Sequence, residues 1–274
     1  MPDFSCLWTS RRPLRPGAFL KAAALAGLLG AACPAAAQAV PAAAQAVAPW
    51  RLGVAGLPPA PVPGAKDRTP ARIEVLAGQA GGAADLRAVD RDQAAAQLRQ
   101  AALDGWVGVW PAEASLPPGV RREPLDWSAS PMAIMRTDTD IHAWADLAGR
   151  TVCLSADGRY VGELAARQGA IEQVYPSATD ALLALRIGQC DAAVQDEDFL
   201  RQLLKFPEWK KFSAQLAPYR RATLAQLSRA DLPDDAARAL RQAVAPGQLR
   251  QLAQQQAKSI AFEVYLDQAV PDCH

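Results

Sequence analysis

The residues with the most chemistry within reach of one another form a short loop, Ser155-Ala156-Asp157-Gly158-Arg159-Tyr160. It lies between Thr151–Ser155, which reads as a strand, and Tyr160–Gln168, whose spacing is helical. Amide groups at a helix N-terminus attract an anion, and a guanidinium fork grips a carboxylate through two parallel hydrogen bonds. The loop amides and Arg159 are therefore candidate contacts for the carboxylate of a small solute, with Ser155, Asp157, Gly158 and Tyr160 in the same set. An ordinary turn accounts equally well for Gly158. Trp110 and Trp127 end or follow apolar strands and offer rings either for stacking on a ligand or for core packing. Asp196 opens the acidic run Asp196-Glu197-Asp198 after another strand, where a helix-capping or solvated aspartate is the plain reading.

Catalytic patterns are scarce. The chain has no Gly-x-Ser-x-Gly, no Walker-type phosphate loop and no Cys-x-x-Cys, and Gly78 to Gly82 does not follow a strand as a dinucleotide fingerprint requires. Its two histidines, His142 and His274, have no neighbouring ligand at metal spacing, which argues against a zinc site or a histidine-dependent triad. No cofactor is implied.

These candidates must be held by a packed scaffold. The 274 residues include 29 basic and 28 acidic side chains, so the formal charge of +1 leaves no footprint for nucleic acid. Half the residues are apolar and 21% charged, which excludes disorder over most of the length, and 22 prolines argue against one long helical bundle. The N-terminus reads as a secretory leader: Arg11, Arg12, Arg15 and Lys21 precede the apolar run Ala22 to Cys33, and Ala37-Gln38-Ala39 supplies the small residues of a cleavage site. The cut falls after residue 39 or, at the repeated Ala44-Gln45-Ala46, after residue 46. The run is too short for a permanent span. Ser10-Arg11-Arg12 fits a twin-arginine signal poorly, and Gly30 and Pro34 make Cys33 a minor candidate for lipidation. Loss of residues 1–39 removes four basic groups and one acidic group, leaving a formal charge of −2.

Periodicity then gives the order of elements. Strands are expected at Arg51–Ala55, Ala84–Val89 and Trp106–Trp110, with helices at Ala71–Ala80 and Gln93–Leu103 between them. After an extended Pro131–Arg136 come a short helix Ile141–Leu147, strands Thr151–Ser155, Glu172–Tyr175 and Asp191–Gln195, and helices Tyr160–Gln168, Thr179–Ile187 and from Phe199. Ala222–Leu227 is extended, and helices near Pro233–Val244 and Gln248–Lys258 close the chain. The alternation predicts an α/β protein of two lobes, each a mostly parallel sheet flanked by helices, joined by crossings near Met132–Arg136 and Ala222–Leu227. Without the leader, Cys153, Cys190 and Cys273 remain. Cys153 lies in one strand and Cys190 just before another, so parallel neighbours can bring the two into a disulfide; two buried free thiols are the alternative.

Three stretches carry a family likeness: Asp146-Leu147-Ala148-Gly149-Arg150-Thr151-Val152-Cys153, Tyr175-Pro176-Ser177 with Ala181-Leu182-Leu183-Ala184-Leu185, and Gly188-Gln189-Cys190-Asp191-Ala192-Ala193-Val194-Gln195-Asp196. In order and spacing, over about residues 130 to 215, they resemble the second lobe of type II periplasmic solute-binding proteins of the amino-acid-binding class. The resemblance implies lobe 1 at residues 50–134 plus 224–274 and lobe 2 at 135–223. It also implies a Cys153–Cys190 disulfide, a role for Asp196 in receiving a solute ammonium group, closure about a hinge, and a monomer that delivers its cargo in the periplasm to an inner-membrane ABC permease. Where that class has a threonine and an arginine after its first-lobe strand, this chain reads Pro111-Ala112-Glu113-Ala114-Ser115-Leu116-Pro117-Pro118, with Ser115 as the partial substitute and no arginine before Arg121 and Arg122. The cargo is thus open between an amino acid and another small polar solute. An accessory or scaffold protein without cargo is the alternative, and a dehydratase of cyclic acids, with Asp196 as its acid, is the one enzymatic reading.

Overall fold

The computed structural model describes residues 50–57, 60, 63–80, 84–111, 114–243 and 246–268. The expected leader with both cut sites, Cys6, Cys33, Cys273 and His274 lie outside the described residues. Ten strands form two five-stranded sheets. In the first, β1 (Trp50–Val54) pairs in parallel with β2 (Ala84–Ala88) and β3 (Gly105–Val109), and β10 (Thr223–Arg229) runs antiparallel between β3 and β4 (Val120–Ser128). In the second, β6 (Thr151–Ser155) lies parallel to β7 (Ile171–Tyr175) and β8 (Ala192–Asp196), while β5 (Pro131–Met135) runs antiparallel between β8 and β9 (Ala214–Leu216).

The orders β2-β1-β3-β10-β4 and β7-β6-β8-β5-β9 are the same pattern twice, with each antiparallel fourth strand reached by a chain crossing. This is the expected two-lobed α/β architecture. The crossings themselves fall elsewhere than expected. Met132–Met135 and Leu224–Leu227 are not connectors but lie inside β5 and β10, each paired on both sides. The chain changes sheet at Ala129-Ser130 and between Leu216 and Thr223. The continuous burial of residues 132–135 and 224–227 is the pattern of strands covered on both faces, which residue spacing alone shows only as extended chain.

Helices α1 (Ile73–Ala80) and α2 (Arg91–Arg99) flank the first sheet, and α3 (Glu163–Gln168), α4 (Ala178–Arg186) and α5 (Glu197–Leu203) the second. Local chemistry sets their ends. Ser177 caps α4 by accepting from the Asp180 amide, and Gly188, at φ +77°, takes the left-handed turn that stops it. The expected helix from Tyr160 begins later, at Glu163, because Gly162 is left-handed and the Glu172 carboxylate accepts from the Gly162, Leu164 and Ala165 amides. The expected helix at Ile141–Leu147 is a single 3-10 turn over Trp144–Leu147, and β4, with its polar exposed face, has no counterpart in the expected order.

Two further helices, α6 (Asp234–Ala243) and α7 (Pro246–Asp267), complete the fold. α7 continues nine residues past the expected Lys258 and packs on α1 and β4 of one lobe and on α4 and α5 of the other. Leu249, Ala253, Ala257, Ile260 and Val264 from this helix join one apolar cluster that includes Leu52 and Trp127 on one side and Ile134 and Leu182 on the other. The outer sheet faces carry separate cores: Ala133, Met135, Val152 and Leu154 belong to one, and Trp106, Ala225 and Leu227 to the other. Strand alternation therefore fills both faces of each sheet.

Cys153 and Cys190 form the disulfide, with Cα atoms 5.8 Å apart, tying β6 to the residue that leads into β8. The bridge closes a loop of 37 residues in sequence separation. Replacing both cysteines by serine is expected to lower the unfolding free energy by about 4 kcal/mol, from the loop entropy restored to the unfolded chain. Urea titration checks this: the wild-type midpoint under strong reductant should fall to that of the double variant.

Candidate functional site

Two strand-to-helix connections meet between the sheets. The β6–α3 connection follows the C-terminal end of a parallel strand, the position where open α/β sheets present their ligands. The β1–α1 connection holds the matching place in the other lobe, and its last residues, Ala71 and Arg72, lie directly against it. The Ala71 amide donates to Asp157 Oδ2 at 2.8 Å, and Arg72 donates to the Asp157 carbonyl at 3.0 Å and the Gly158 carbonyl at 2.6 Å. Gly56, just past β1, leaves room for this guanidinium, since a Cβ there would stand 3.0 Å from Arg72 Cζ.

The centre of the seam is Arg159. Its side chain is 8% exposed and sits between two carboxylates, Asp196 from its own lobe and Glu74 from α1. Nε donates to both Asp196 oxygens at 3.2 and 3.1 Å, and Nη2 to Glu74 Oε2 at 2.5 Å. Asp196 ends β8 and is itself buried; it also accepts from Tyr160 Oη at 2.6 Å and from Trp127 Nε1 at 3.2 Å. Tyr160 Oη reaches the Ala129 carbonyl at the crossing as well, at 2.9 Å. Beside this cluster, Ser128 at the end of β4 is clipped to α5: its amide donates to Asp198 at 2.5 Å and its hydroxyl to Glu197 at 2.8 Å.

Electrostatics follow from burial. Burial works against charge on Arg159, but Asp196 and Glu74 more than offset it, so its pKa lies above the ordinary arginine value and the guanidinium stays protonated. The Tyr160 phenol is pushed well up by burial and then by the adjacent Asp196 charge. Arg72 is lowered, first by burial and then by repulsion from Arg159. Asp157 is raised by burial despite its bond from Ala71, and its second oxygen, Oδ1, has no hydrogen-bond partner among the described residues. Glu74, fully buried, likewise has one unpartnered oxygen, Oε1. Arg72 and Arg159 face Asp157, Glu74 and Asp196, so the seam holds one more formal negative charge than positive.

Of the residues singled out from sequence, Asp157, Gly158, Arg159, Tyr160, Asp196 and Trp127 meet in this network. Ser155 lies beside it, its hydroxyl accepting from Gln195 Nε2 at 3.1 Å. Trp110 sits in the outer core of its sheet, edge-on to Trp106 with ring centroids 6.3 Å apart and its Nε1 on the Ala114 carbonyl. Ser115 is exposed on the segment beyond it. Sequence reasoning missed Arg72 and Glu74. Their signal was available: they are the sole charges between Pro70 and Gly82, embedded in an apolar helical run, and Glu74 falls between the buried Ile73 and Val75.

A groove of about 1440 Å³ opens nearby, walled by α1, the start of α4 and α7. Asp157 reaches its edge, and Glu263 on α7 accepts there from the Thr69 amide at 3.1 Å and the Thr69 hydroxyl at 2.6 Å, and from Thr179. Among the described residues no three histidine, cysteine, aspartate or glutamate side chains converge on a point that could hold a metal ion, and no helix is long and apolar enough to cross a membrane.

No family model and no curated protein matches the chain. Solved structures similar to it include a GluR0 ligand-binding core in complex with L-glutamate, at 14% identity and TM-score 0.48, covering 77% of this chain and 99% of that one. A mutant of ArgBP from T. maritima is 18% identical with a TM-score of 0.44, covering 76% of this chain and 95% of that one. A Bordetella pertussis BvgS VFT2 domain is 17% identical with a TM-score of 0.42, covering 76% and 92% respectively. The architecture rests on the sheet orders above, which repeat one pattern in two lobes.

The raised Asp157 pKa has a consequence for stability. A carboxyl that holds its proton more tightly when folded favours the folded chain at low pH, and that advantage is lost as pH climbs from the unfolded aspartate value, about 3.9, through the higher folded one. Asp157→Asn keeps an oxygen for the Ala71 amide and has no such proton to release. The stability of wild type relative to Asp157→Asn is therefore expected to fall as pH rises from about 4 toward neutrality. Denaturant titrations across that range at fixed ionic strength measure it, and a constant difference would contradict the burial argument.

Proposed function

We propose that this chain is an extracytoplasmic solute receptor, a non-enzymatic protein that encloses a small polar solute, such as an amino acid or related carboxylate, between its lobes. One observation carries the reading: oppositely charged, buried side chains from both lobes, Arg159 and Asp196 from one and Glu74 from the other, converge beside Tyr160 and Trp127 at the ends of β6, β8 and β4. Burying three charges in one place is costly unless each is paired, and well-packed apolar residues would seal two lobes at least as stably. A charged seam is what solute recognition needs, because a zwitterion exchanges its own charges for those already there. Arg159 takes the carboxylate, Asp196 the ammonium, and Trp127 and Tyr160 fix the Asp196 carboxylate between them.

On this reading the leader at residues 1–39 sends the chain to the periplasm, lobe 1 comprises residues 50–134 plus 224–274 and lobe 2 residues 135–223, and the loaded monomer docks on an inner-membrane ABC permease. A cargo-free scaffold is the second reading, favoured by the engagement of both Arg159 Nε and Nη2 within the chain. A dehydratase would need Asp196 to deliver a proton, whereas it accepts hydrogen bonds from Trp127, Arg159 and Tyr160.

Thermal-shift screening against amino acids, dicarboxylates and polyamines tests the proposal. A cognate solute at a hundred times its Kd should add about 2.7 kcal/mol of stability. That gain should vanish in Asp196→Asn and fall at least tenfold in affinity in Arg159→Lys, which cannot bind a carboxylate bidentately. A silent screen in wild type would favour the scaffold.

A further inference from the structure

We propose that Glu74 is an internal ligand of the solute site: its carboxylate occupies the arm of Arg159 that a solute carboxylate takes, so the receptor closes on its own side chain and cargo must displace it. This rests on reading the seam as the solute site. The contact crosses between lobes, from the first turn of α1 to the β6–α3 connection, so it holds the two walls together. It is also incomplete. Glu74 gives Arg159 one oxygen, Oε2, while Oε1 is buried without a donor, so that acceptor's desolvation is not compensated. A free carboxylate, not tethered to α1, can turn both oxygens toward donors. Glu74 is therefore a competitor that a well-shaped solute can beat and a poor one cannot, which makes it a threshold for loading as well as a latch. Its neighbours explain why it does not escape to water: Ile73, Val75 and Ala77 are buried with it, and it interacts electrostatically with Arg159 and Arg72.

The test uses the fact that Glu74→Ala removes the equivalent of one acetate. In this variant the melting temperature should drop by several degrees and be restored saturably by sodium acetate, with sodium chloride at equal ionic strength giving no such recovery. Wild type and Glu74→Ala/Arg159→Gln should not respond to acetate. Equal effects of acetate and chloride on Glu74→Ala would overturn the proposal. Should Glu74→Ala fail to fold with or without acetate, the isosteric Glu74→Gln decides the matter through a double-variant cycle with Arg159→Gln. Strong coupling, with the double variant no less stable than Arg159→Gln alone, supports the latch, and additive losses overturn it. Acetate probes the latch alone and the solute panel probes the receptor reading, so failure of one is separable from failure of the other.

Discussion

A buried guanidinium shared by carboxylates from two lobes is the constraint around which this molecule is arranged. Arg159, Asp196 and Glu74 are tolerable in the interior only because they are paired, and removing the guanidinium leaves two buried carboxylates without their counterpart, a loss of about 3–5 kcal/mol for a buried pair. Each partner therefore depends on the position of a different element: Asp196 on the register of β8 against β6 and β5, and Glu74 on the entry of α1 after the long β1–α1 connection. Trp127 and Tyr160 add directionality, because an aspartate that accepts from a ring N–H, a phenol and a guanidinium has little freedom to rotate. The polar seam is thus specified by backbone topology on both sides.

Against this polar seam stands an apolar one. α7 buries residues against helices of both lobes, and the cluster it joins runs without a break from Leu52 on β1 to Ile134 on β5. An ordinary hinge needs its two bodies joined by little more than the crossings at Ala129-Ser130 and Leu216–Thr223. Here an opening motion must also slide α7 over one of its partners or carry it along with one lobe. The polar anchors indicate which. Gln256 donates to the Pro70 and Ala71 carbonyls at 2.8 and 2.9 Å, and Glu263 holds Thr69, whereas toward α4 Glu263 accepts from Thr179. α7 is thereby better tied to the segment leading into α1, so relative motion falls more readily on its apolar contacts with α4 and α5, where side chains can shift without stranding hydrogen bonds.

Much of the scaffold was legible from residue patterns because its strands are short apolar runs bounded by glycine and proline, and the order of elements in residues 130 to 215 followed directly. What escaped was non-local. β4 alternates charged and apolar residues, Val120-Arg121-Arg122-Glu123-Pro124-Leu125, with a proline that argues against a strand, and its pairing with β10 shows an irregular register around Ala225 opposite Pro124. α7 runs on past Lys258 although its apolar pattern weakens there, with Phe262, Tyr265 and Leu266 turned outward while Ile260 and Val264 stay buried. In the site, the loop 155–160 and Asp196 could be found because each follows a recognisable strand. Glu74 could not be assigned a partner, since nothing local distinguishes an acid that will meet Arg159, 85 residues away, from one at the exposed start of an amphipathic helix.

The twofold repetition of the sheet pattern gives this pairing a simple geometric origin. The β1–α1 and β6–α3 connections hold equivalent places in the two lobes, so when the lobes face each other the same two stretches must confront one another. Each then presents backbone groups and one arginine to its opposite: Arg72 caps the carbonyls of Asp157 and Gly158, Asp157 caps the Ala71 amide, and Arg159 reaches Glu74. Reciprocal bonding of this kind satisfies the polar groups of both connections without an apolar plug, and it leaves two acceptor oxygens, on Glu74 and Asp157, that the exchange cannot satisfy. Those residual acceptors mark where the seam is least well satisfied, at the charged centre that both connections share.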